Sequence, residues 1–457
     1  MKQTETSKRL MSVAYIVAIG GILFGINTAV INGADGFLQK DLGLDSLQIG
    51  IVSSSLTLAA AFGAMFGGSL SDKIGRKKSL RLIAWIFFIG AIMCAFSPSY
   101  GVLVTARLFL GLAVGSASSV VPLYLGEISS AEERGKMVGL NQISIVGGQF
   151  LAFVFNAIIG NVMANSPSAW KFMMGVAAIP AIIMIIGMTK VFETPKWLAK
   201  DGQFIKAVEV IKSIYTDETL YDEQIRDIEK IEKNKEEKQA ITQKQKIPRW
   251  AIKVLLIGCM IGVIQQFVGI NAIMYYSTRI LQIYGFDEQA ALTFNVLNGV
   301  ICVVASLIGM LIVDKMGRKK LITLGLVSCA VLLVLVSLCG LLLTDQPFTP
   351  YVVLALIILY IFAFQGTLGP VPWILISEIF PTRYRGTFSG IATFVLWLCN
   401  FLVGLLVPVL IELIGINILF FIFAGVAIFG VFFINLTLPE TKGKSFEEIE
   451  LYFSKGS

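Results

Sequence analysis

Long uninterrupted apolar runs dominate the pattern of hydrophobic and polar positions along the chain. Most runs have roughly 20 residues, the length that an α-helix needs to cross about 30 Å of hydrocarbon. Transmembrane β-barrels would instead show alternating segments of about 10 residues, which the sequence lacks. The pattern therefore predicts an all-α integral membrane protein of twelve spans: 11–33, 47–70, 79–97, 100–124, 139–162, 170–191, 253–283, 288–313, 321–344, 351–376, 387–411 and 414–438.

Composition supports the same class. Hydrophobic residues make up 56% of the 457 and charged residues 15%, whereas a soluble domain has about 45–50% and about 25%. The six cysteines lie inside apolar runs without disulfide or metal spacing, and the chain has no histidine. Because histidine relays, metal clusters and nucleotide loops are all missing from the sequence, we expect no enzyme, no cofactor and no metal site.

The net charge of +7 is unevenly distributed along the chain, and this distribution shows what the charge is for. Lysine and arginine concentrate in alternate loops, such as 73–78, 134–136 and 315–320, and the loops between them hold few. Basic loops stay on the cytoplasmic side of a membrane. The charge therefore predicts a multi-pass plasma-membrane protein with both termini cytoplasmic, and it does not indicate a nucleic-acid partner.

The two halves of the chain repeat each other. DKIGRKK at 72–78 corresponds to DKMGRKK at 314–320, an offset of 314 − 72 = 242. Such a repeat predicts two six-helix bundles, at 1–192 and 251–440. Residues 193–250 are predicted to be a cytoplasmic linker with short amphipathic helices, and 441–457 a cytoplasmic tail. Two bundles of this kind can rock about a shared site near the middle of the membrane, which gives alternating access.

Repeated acidic and basic residues mark the cytoplasmic helix ends. In each half a glutamate precedes an Arg-Gly pair by seven residues. We expect these glutamates to pair with arginines across neighbouring helices and to form a latch that closes the cytoplasmic side when the carrier faces outward. In the alternative interpretation the arginines only enforce topology. The predicted latch consists of Asp72, Arg76, Glu127, Arg134, Asp314, Arg318, Glu378 and Arg385.

Neutral amides on several spans predict a binding site for an uncharged polyol. Gln142 and Gln149 are seven residues apart, so they share one helix face. An amide both donates to and accepts from hydroxyl groups, and an aromatic ring packs against the C–H face of a sugar. Alternatively, the amides join helices, at about 0.6 kcal/mol each. The predicted site consists of Gln142, Gln149, Gln265, Gln266, Asn271, Gln365, Trp373 and Asn400.

Six short segments of the chain read as family signatures: GSLSDKIGRK at 68–77, GQFLAFVFN at 148–156, ETPKWL at 193–198, QQFVGIN at 265–271, GPVPW at 369–373 and LPETKG at 438–443. Together they resemble the signatures of the sugar porter family of the major facilitator superfamily. Residues 148–156 are most similar to bacterial myo-inositol transporters in that family. The resemblance implies sugar contacts for Gln142, Gln265, Gln266, Asn271, Trp373 and Asn400. Many relatives carry an asparagine ligand in place of Cys302.

Asn27 is the most informative departure from that family. Proton-coupled relatives carry an aspartate at the position of Asn27, opposite an arginine that matches Arg107. Because an amide does not titrate, the sequence favours facilitated uniport over proton symport. Tyr275 and Tyr276 follow a predicted helix break and are predicted to form the extracellular gate. Two alternatives stay open: symport through another acid, with Asp35 the first suspect, and a membrane sugar sensor that does not transport.

Overall fold

A computed structural model describes residues 8–455, except 131–132, 216–220, 223, 227, 230–246, 344–345, 382 and 445. The N-terminal half begins with a helix that is interrupted only at Val30. Its helices are α1 Lys8–Ala29, α2 Ile31–Leu42, α3 Ser46–Ile74, α4 Arg76–Ala95, α5 Tyr100–Ile128, α6 Arg134–Val162, α7 Ala169–Gly175 and α8 Ala178–Gly187.

Two short helices follow, and the C-terminal half comes after them. The short helices are α9 Pro195–Lys200 and α10 Phe204–Ile214. The helices of the C-terminal half are α11 Arg249–Phe267, α12 Ile270–Ile283, α13 Glu288–Met316, α14 Arg318–Leu342, α15 Thr349–Gly366, α16 Val371–Glu378, α17 Arg385–Ile414, α18 Ile416–Thr437 and the tail helix α19 Phe446–Lys455.

Twelve segments among the described residues are long and apolar enough to cross a membrane, and they coincide with the predicted spans. Three of them are interrupted helices. The pairs α7 and α8, α11 and α12, and α15 and α16 each form one span, at Ala169–Gly187, Arg249–Ile283 and Thr349–Ile376. The predicted break in the seventh span is therefore confirmed, and the tenth span is also broken.

Two pairs of helices join the halves along the length of the bundle. Helix α3 packs against α17, and α6 packs against α13. At Gly50 an added Cβ atom would lie 2.4 Å from the carbonyl oxygen of Leu405, so the two backbones approach more closely than any side chain permits. Small residues allow such contacts between membrane helices. The central cavity lies between these two seams.

The repeated basic sequences form matching turns. Gly75 separates α3 from α4 with φ = 96°, and Gly317 separates α13 from α14 with φ = 88°. Glycine suits this backbone conformation because it lacks a Cβ atom. We call the side of the bundle that carries these two turns the basic-loop face, and the other side the opposite face. Helix α2 lies at the opposite face, since α1 begins at the basic-loop face.

The predicted linker contains α9 and α10, whose apolar faces pack together around Trp197, Ala207 and Ile211. Most of the charged run 227–238 lies outside the described residues. The tail helix α19 packs against α11. It buries Ile449 and Phe453, whereas Tyr452 is 53% exposed.

Candidate functional site

A cavity of about 140 Å³ lies between the two halves. All eight residues of the predicted polyol site line this cavity. Its lining consists of Phe24, Thr28, Gln142, Ile145, Val146, Gln149, Gln265, Gln266, Ile270, Asn271, Met274, Tyr275, Phe364, Gln365, Gly369, Trp373, Leu396, Trp397 and Asn400.

Helix α6 supplies the amides of the N-terminal half. Gln142 and Gln149 both line the cavity, as expected from their spacing of two helical turns. The Oε1 atom of Gln149 is buried and has no hydrogen-bond partner among the described residues. Asn156, two further turns along, lies outside the cavity and donates to the carbonyl oxygen of Val30 at 3.1 Å. Of these three amide residues on α6, two therefore line the cavity and one contributes to helix packing.

The break between α11 and α12 positions three amides of the C-terminal half. Gly269 turns the chain there with φ = 98°. Gln265 donates through Nε2 to the carbonyl oxygen of Leu368 at 2.8 Å, while its buried Oε1 atom is unpartnered among the described residues. Asn271 donates to Oε1 of Gln266 across the break. The break thus brings Gln265, Gln266 and Asn271 to the same cavity.

Helices α15 to α17 complete the lining. Gln365 donates to the Sγ atom of Cys302 at 3.6 Å. Cys302, where many relatives carry an asparagine, therefore lies directly behind an amide of the cavity. Trp373 lies in the first turn of α16, lines the cavity and is 38% exposed. Asn400 accepts a hydrogen bond from the Tyr275 hydroxyl at 2.9 Å. Tyr275, predicted as a gate residue, is therefore also a wall of the cavity.

The predicted polyol site leaves out two polar residues of the lining, Thr28 and Trp397, and Tyr275 was predicted only as a gate residue. Trp397 lines the cavity and packs against Phe24, with ring centroids 5.6 Å apart. Its Nε1–H group is buried without a partner among the described residues. The spacing of Trp397 and Asn400 on one helical turn is a signal for this role. Three unpartnered polar atoms, on Gln149, Gln265 and Trp397, therefore belong to side chains of the lining.

The cavity lining is uncharged. Among the lining residues that the structure describes, the polar side chains are amides, hydroxyls and indole rings. A buried polar group without a partner costs about 1–3 kcal/mol, so the unpartnered atoms favour a ligand that supplies hydroxyl groups. Aromatic rings beside them provide surface for C–H groups. The lining suits a neutral polyol better than a charged ligand.

The predicted coupling position contains a buried arginine that is satisfied by backbone carbonyls. Arg107 donates to the carbonyl oxygens of Asn27 at 2.9 Å, Val52 at 3.2 Å and Ser53 at 3.3 Å. The side chain of Asn27 turns away from it and donates to the carbonyl oxygen of Leu23 at 2.8 Å. Arg107 thus joins α1, α3 and α5 without any carboxylate among its hydrogen-bond partners in the described residues.

Tyr276 lies at a kink inside α12, with φ = −127° and ψ = 17°. Its hydroxyl donates to the carbonyl oxygen of Gly404 on α17. Both tyrosines therefore bond to α17, within the C-terminal half. Their predicted role as the extracellular gate stays a prediction.

A polar cluster that sequence analysis missed joins the two halves at the opposite face. Asn32 on α2 donates to the carbonyl oxygen of Met274 at 3.0 Å and to Oγ of Ser277 at 2.6 Å. Its Oδ1 atom accepts from the backbone N–H of Thr278 at 2.9 Å and from the Thr278 hydroxyl at 2.6 Å. Asn295 on α13 donates to Thr278 at 2.7 Å. We call these five residues the asparagine knot.

Ion pairs add to this closure. Lys40 on α2 pairs with Glu288 at the start of α13. Arg279 on α12 pairs with Glu412 on α17 at 3.3 Å and donates to Oγ of Ser46 on α3 at 3.1 Å. Among the described residues, the two halves are therefore held together at the opposite face by the asparagine knot, the Lys40–Glu288 pair and the Arg279–Glu412 pair that bonds to Ser46; we call these contacts the gate at the opposite face.

Three of the predicted latch residues of the N-terminal half, Asp72, Arg76 and Glu127, form one cluster. Arg76 pairs with Glu127 through Nε at 3.0 Å and Nη2 at 2.9 Å, and with Asp72 at 2.9 Å. Glu193, which lay in a family signature without an assigned role, accepts backbone N–H groups of Arg76 at 2.9 Å and Lys77 at 3.0 Å. The cluster therefore connects the turn after α3 with the end of α5 and the start of α9.

The C-terminal half repeats this cluster. Arg318 pairs with Glu378 at 3.1 Å, and Glu440 accepts the backbone N–H groups of Arg318 at 2.8 Å and Lys319 at 3.1 Å. The Thr441 hydroxyl donates to Glu378 at 2.6 Å. Arginine and glutamate therefore pair across neighbouring helices in both halves, as the sequence predicted.

Each arginine–glutamate pair joins two residues of the same half: Arg76 and Glu127 in the N-terminal half, and Arg318 and Glu378 in the C-terminal half. Arg385 donates to the carbonyl oxygen of Phe380 at 3.4 Å, within its own half as well. The side chains of Arg134 and Asp314 lie outside the part of the chain that the structure describes. A pair inside one half fixes the end of its own helices, so closure of the basic-loop face by this cluster stays a prediction.

In the described part of the chain, twelve spans in two repeated halves surround an uncharged cavity, which is the architecture of a helical membrane carrier. The profile of the family described as "Sugar (and other) transporter" matches residues 13–453. The chain therefore belongs to the sugar transporter family of the major facilitator superfamily, and proteins of this family are transporters rather than enzymes.

Characterised relatives resemble the chain over nearly its whole length. It is 41% identical over 454 residues to "Major myo-inositol transporter IolT" of Bacillus subtilis, covering 99% of this chain and 96% of that protein. It is 34% identical to "Glucose transporter GlcP" of Staphylococcus epidermidis, covering 95% of each. The inward-open structure of the xylose transporter XylE from E. coli superposes with a TM-score of 0.83 at 28% identity, covering 97% of this chain and 99% of that one.

Proposed function

We propose that this protein moves an uncharged monosaccharide or polyol across the plasma membrane by alternating access, as a facilitated uniporter. The observation that carries the proposal is the combination of an uncharged amide-lined cavity with an asparagine at the coupling position. In this orientation the basic-loop face is cytoplasmic, both termini lie on that side, and the opposite face is extracellular.

The lining supports the substrate class. Gln149, Gln265 and Trp397 each hold an unpartnered buried polar atom, so a ring with several hydroxyl groups would satisfy one acceptor or donor at each of three places. Relatives are named for myo-inositol, glucose and xylose, all of which are uncharged polyols. Among these, the relative at 41% identity makes myo-inositol the first substrate to test.

The hydrogen bonds around Arg107 support uniport. Symport requires a group whose protonation is linked to substrate binding. Asn27 donates to its own helix and exposes only its backbone oxygen to Arg107, so no proton is exchanged at this position. XylE, described as a proton:xylose symporter, shares the fold. The fold therefore does not decide between the two modes, and the residue at position 27 carries the proposal.

Uptake into proteoliposomes tests both parts. Purified protein should take up labelled myo-inositol, glucose or xylose to equilibrium and no further, with the same final level with and without a proton gradient. Gln266→Ala should abolish saturable uptake, because it removes a cavity amide. Asn435→Ala is a matched control, since the side-chain amide of that exposed asparagine donates to the carbonyl oxygen of Val431 on its own helix. Saturable binding without uptake would instead indicate a sensor.

A further inference from the structure

Asp35 is a buried acid that the proposed transport cycle does not use. It lies on α2, one helical turn beyond Asn32 of the asparagine knot, and is 3% exposed. Its Oδ1 atom is buried without a hydrogen-bond partner among the described residues. A buried carboxylate without hydrogen bonds is costly when charged and far less so when protonated.

Among the described residues, the charged groups around Asp35 form no ion pair with it. Arg279 on α12 faces it, but the Nη2 group of Arg279 is engaged by Glu412 and Ser46, and no ion pair joins Arg279 to Asp35 among the described residues. Glu288 on α13 adds a negative charge, which is itself paired with Lys40. The environment therefore combines burial with the opposing positive charge of Arg279 and the negative charge of Glu288.

The other titratable groups near α2 have partners of their own. Asp41 on the same helix accepts from Nε1 of Trp170 on α7 at 2.8 Å. Lys171 on α7 lies over the Trp170 ring at 5.4 Å. Tyr276 on α12 donates to Gly404. Asp35 is thus distinguished by a buried, unpartnered oxygen at a contact between the two halves.

Burial raises the pKa of Asp35 to about 6, although the charge of Arg279 opposes the shift and that of Glu288 adds to it. When the halves separate at the opposite face, water reaches α2 and the pKa returns toward the ordinary value of about 3.9. Closure therefore binds a proton. The cost of burying the carboxylate is present above about pH 6 and disappears as the pH falls toward 4, so acid favours the closed state.

We infer that Asp35 is a proton-binding site that controls closure of the gate at the opposite face, so that external acid holds the carrier closed on that side. The proton enters and leaves only through that face, because Asp35 is buried when the gate is closed and hydrated when it is open. No net proton movement accompanies the sugar, which keeps this role distinct from symport.

The experiment measures the gate directly and needs no sugar. Leu47 on α3 and Ile283 on α12 are 51% and 47% exposed near the opposite face, one in each half. Both would be replaced by p-acetylphenylalanine and spin-labelled, which leaves the native cysteines in place. Double electron–electron resonance in nanodiscs then gives the ratio of short to long distances as a function of pH.

In the otherwise unmodified protein, the closed-to-open ratio should rise about tenfold from about pH 7.5 to about pH 5, and the rise should begin near pH 6. Asp35→Asn should keep the high closed-to-open ratio of the acidic state at every pH, because an amide is neutral. Asp41→Asn on the same helix should titrate like the unmodified protein. A ratio that does not change with pH, or an Asp35→Asn variant that keeps the full titration, would overturn the inference.

Discussion

Replacing Asn32 by alanine should open the gate at the opposite face. In the closed state the side chain of Asn32 makes four hydrogen bonds of 3.0 Å or shorter to residues of the other half: two as donor, to Met274 and Ser277, and two as acceptor, both from Thr278. Side-chain hydrogen bonds between membrane helices contribute about 0.6 kcal/mol each. Four of them therefore contribute about 2.4 kcal/mol to closure.

The open state does not lose this contribution, because water replaces the missing side chain once the halves separate. Asn32→Ala should thus shift the closed-to-open ratio about fiftyfold toward open, at 1.4 kcal/mol per factor of ten. Spin labels at Leu47 and Ile283 report the shift as a gain of the long distance. Asn435→Ala should leave the distribution unchanged, since its amide bonds within its own helix. An unchanged distribution in Asn32→Ala would refute the assignment of the asparagine knot as the gate.

Three further predictions concern the site, the latch and the coupling position. Gln265→Ala and Trp373→Ala should each abolish saturable uptake while membrane insertion stays normal, and normal uptake by both variants would contradict the site. Glu378→Gln should weaken the basic-loop cluster and raise the reactivity of cysteines introduced at the basic-loop face toward aqueous reagents; unchanged reactivity would exclude a latch. Asn27→Asp should place an acid beside Arg107 and make uptake pH-dependent, so a flat pH profile of uptake would contradict the role of position 27.

The sequence predicted the parts of the site that depend on spacing along one helix. Gln142 and Gln149 share a face because they are two turns apart, and the break at Gly269 follows from glycine and its neighbours. The twelve spans follow from apolar run length alone. These features are local, so the order of residues is enough to place them.

The asparagine knot could not be predicted in the same way. Asn32 and Thr278 are far apart in the sequence, and each looks like an isolated polar residue near the end of an apolar run. Their contact depends on which face of α2 meets α12 in one state of the carrier. Glu193 and Glu440 were visible as family signatures, yet their role in holding the turns at Arg76 and Arg318 depends on packing between helices.

Transport of a labelled polyol by the purified protein tests the central claim most directly. In proteoliposomes with an inward proton gradient, myo-inositol should enter in a saturable manner and stop at equal concentrations on both sides, and a protonophore should leave that final level unchanged. The external pH should not rise when the polyol is added. Accumulation above the external concentration, or alkalinisation outside on addition of the polyol, would contradict uniport, and absence of uptake for every neutral polyol would contradict the proposed substrate class.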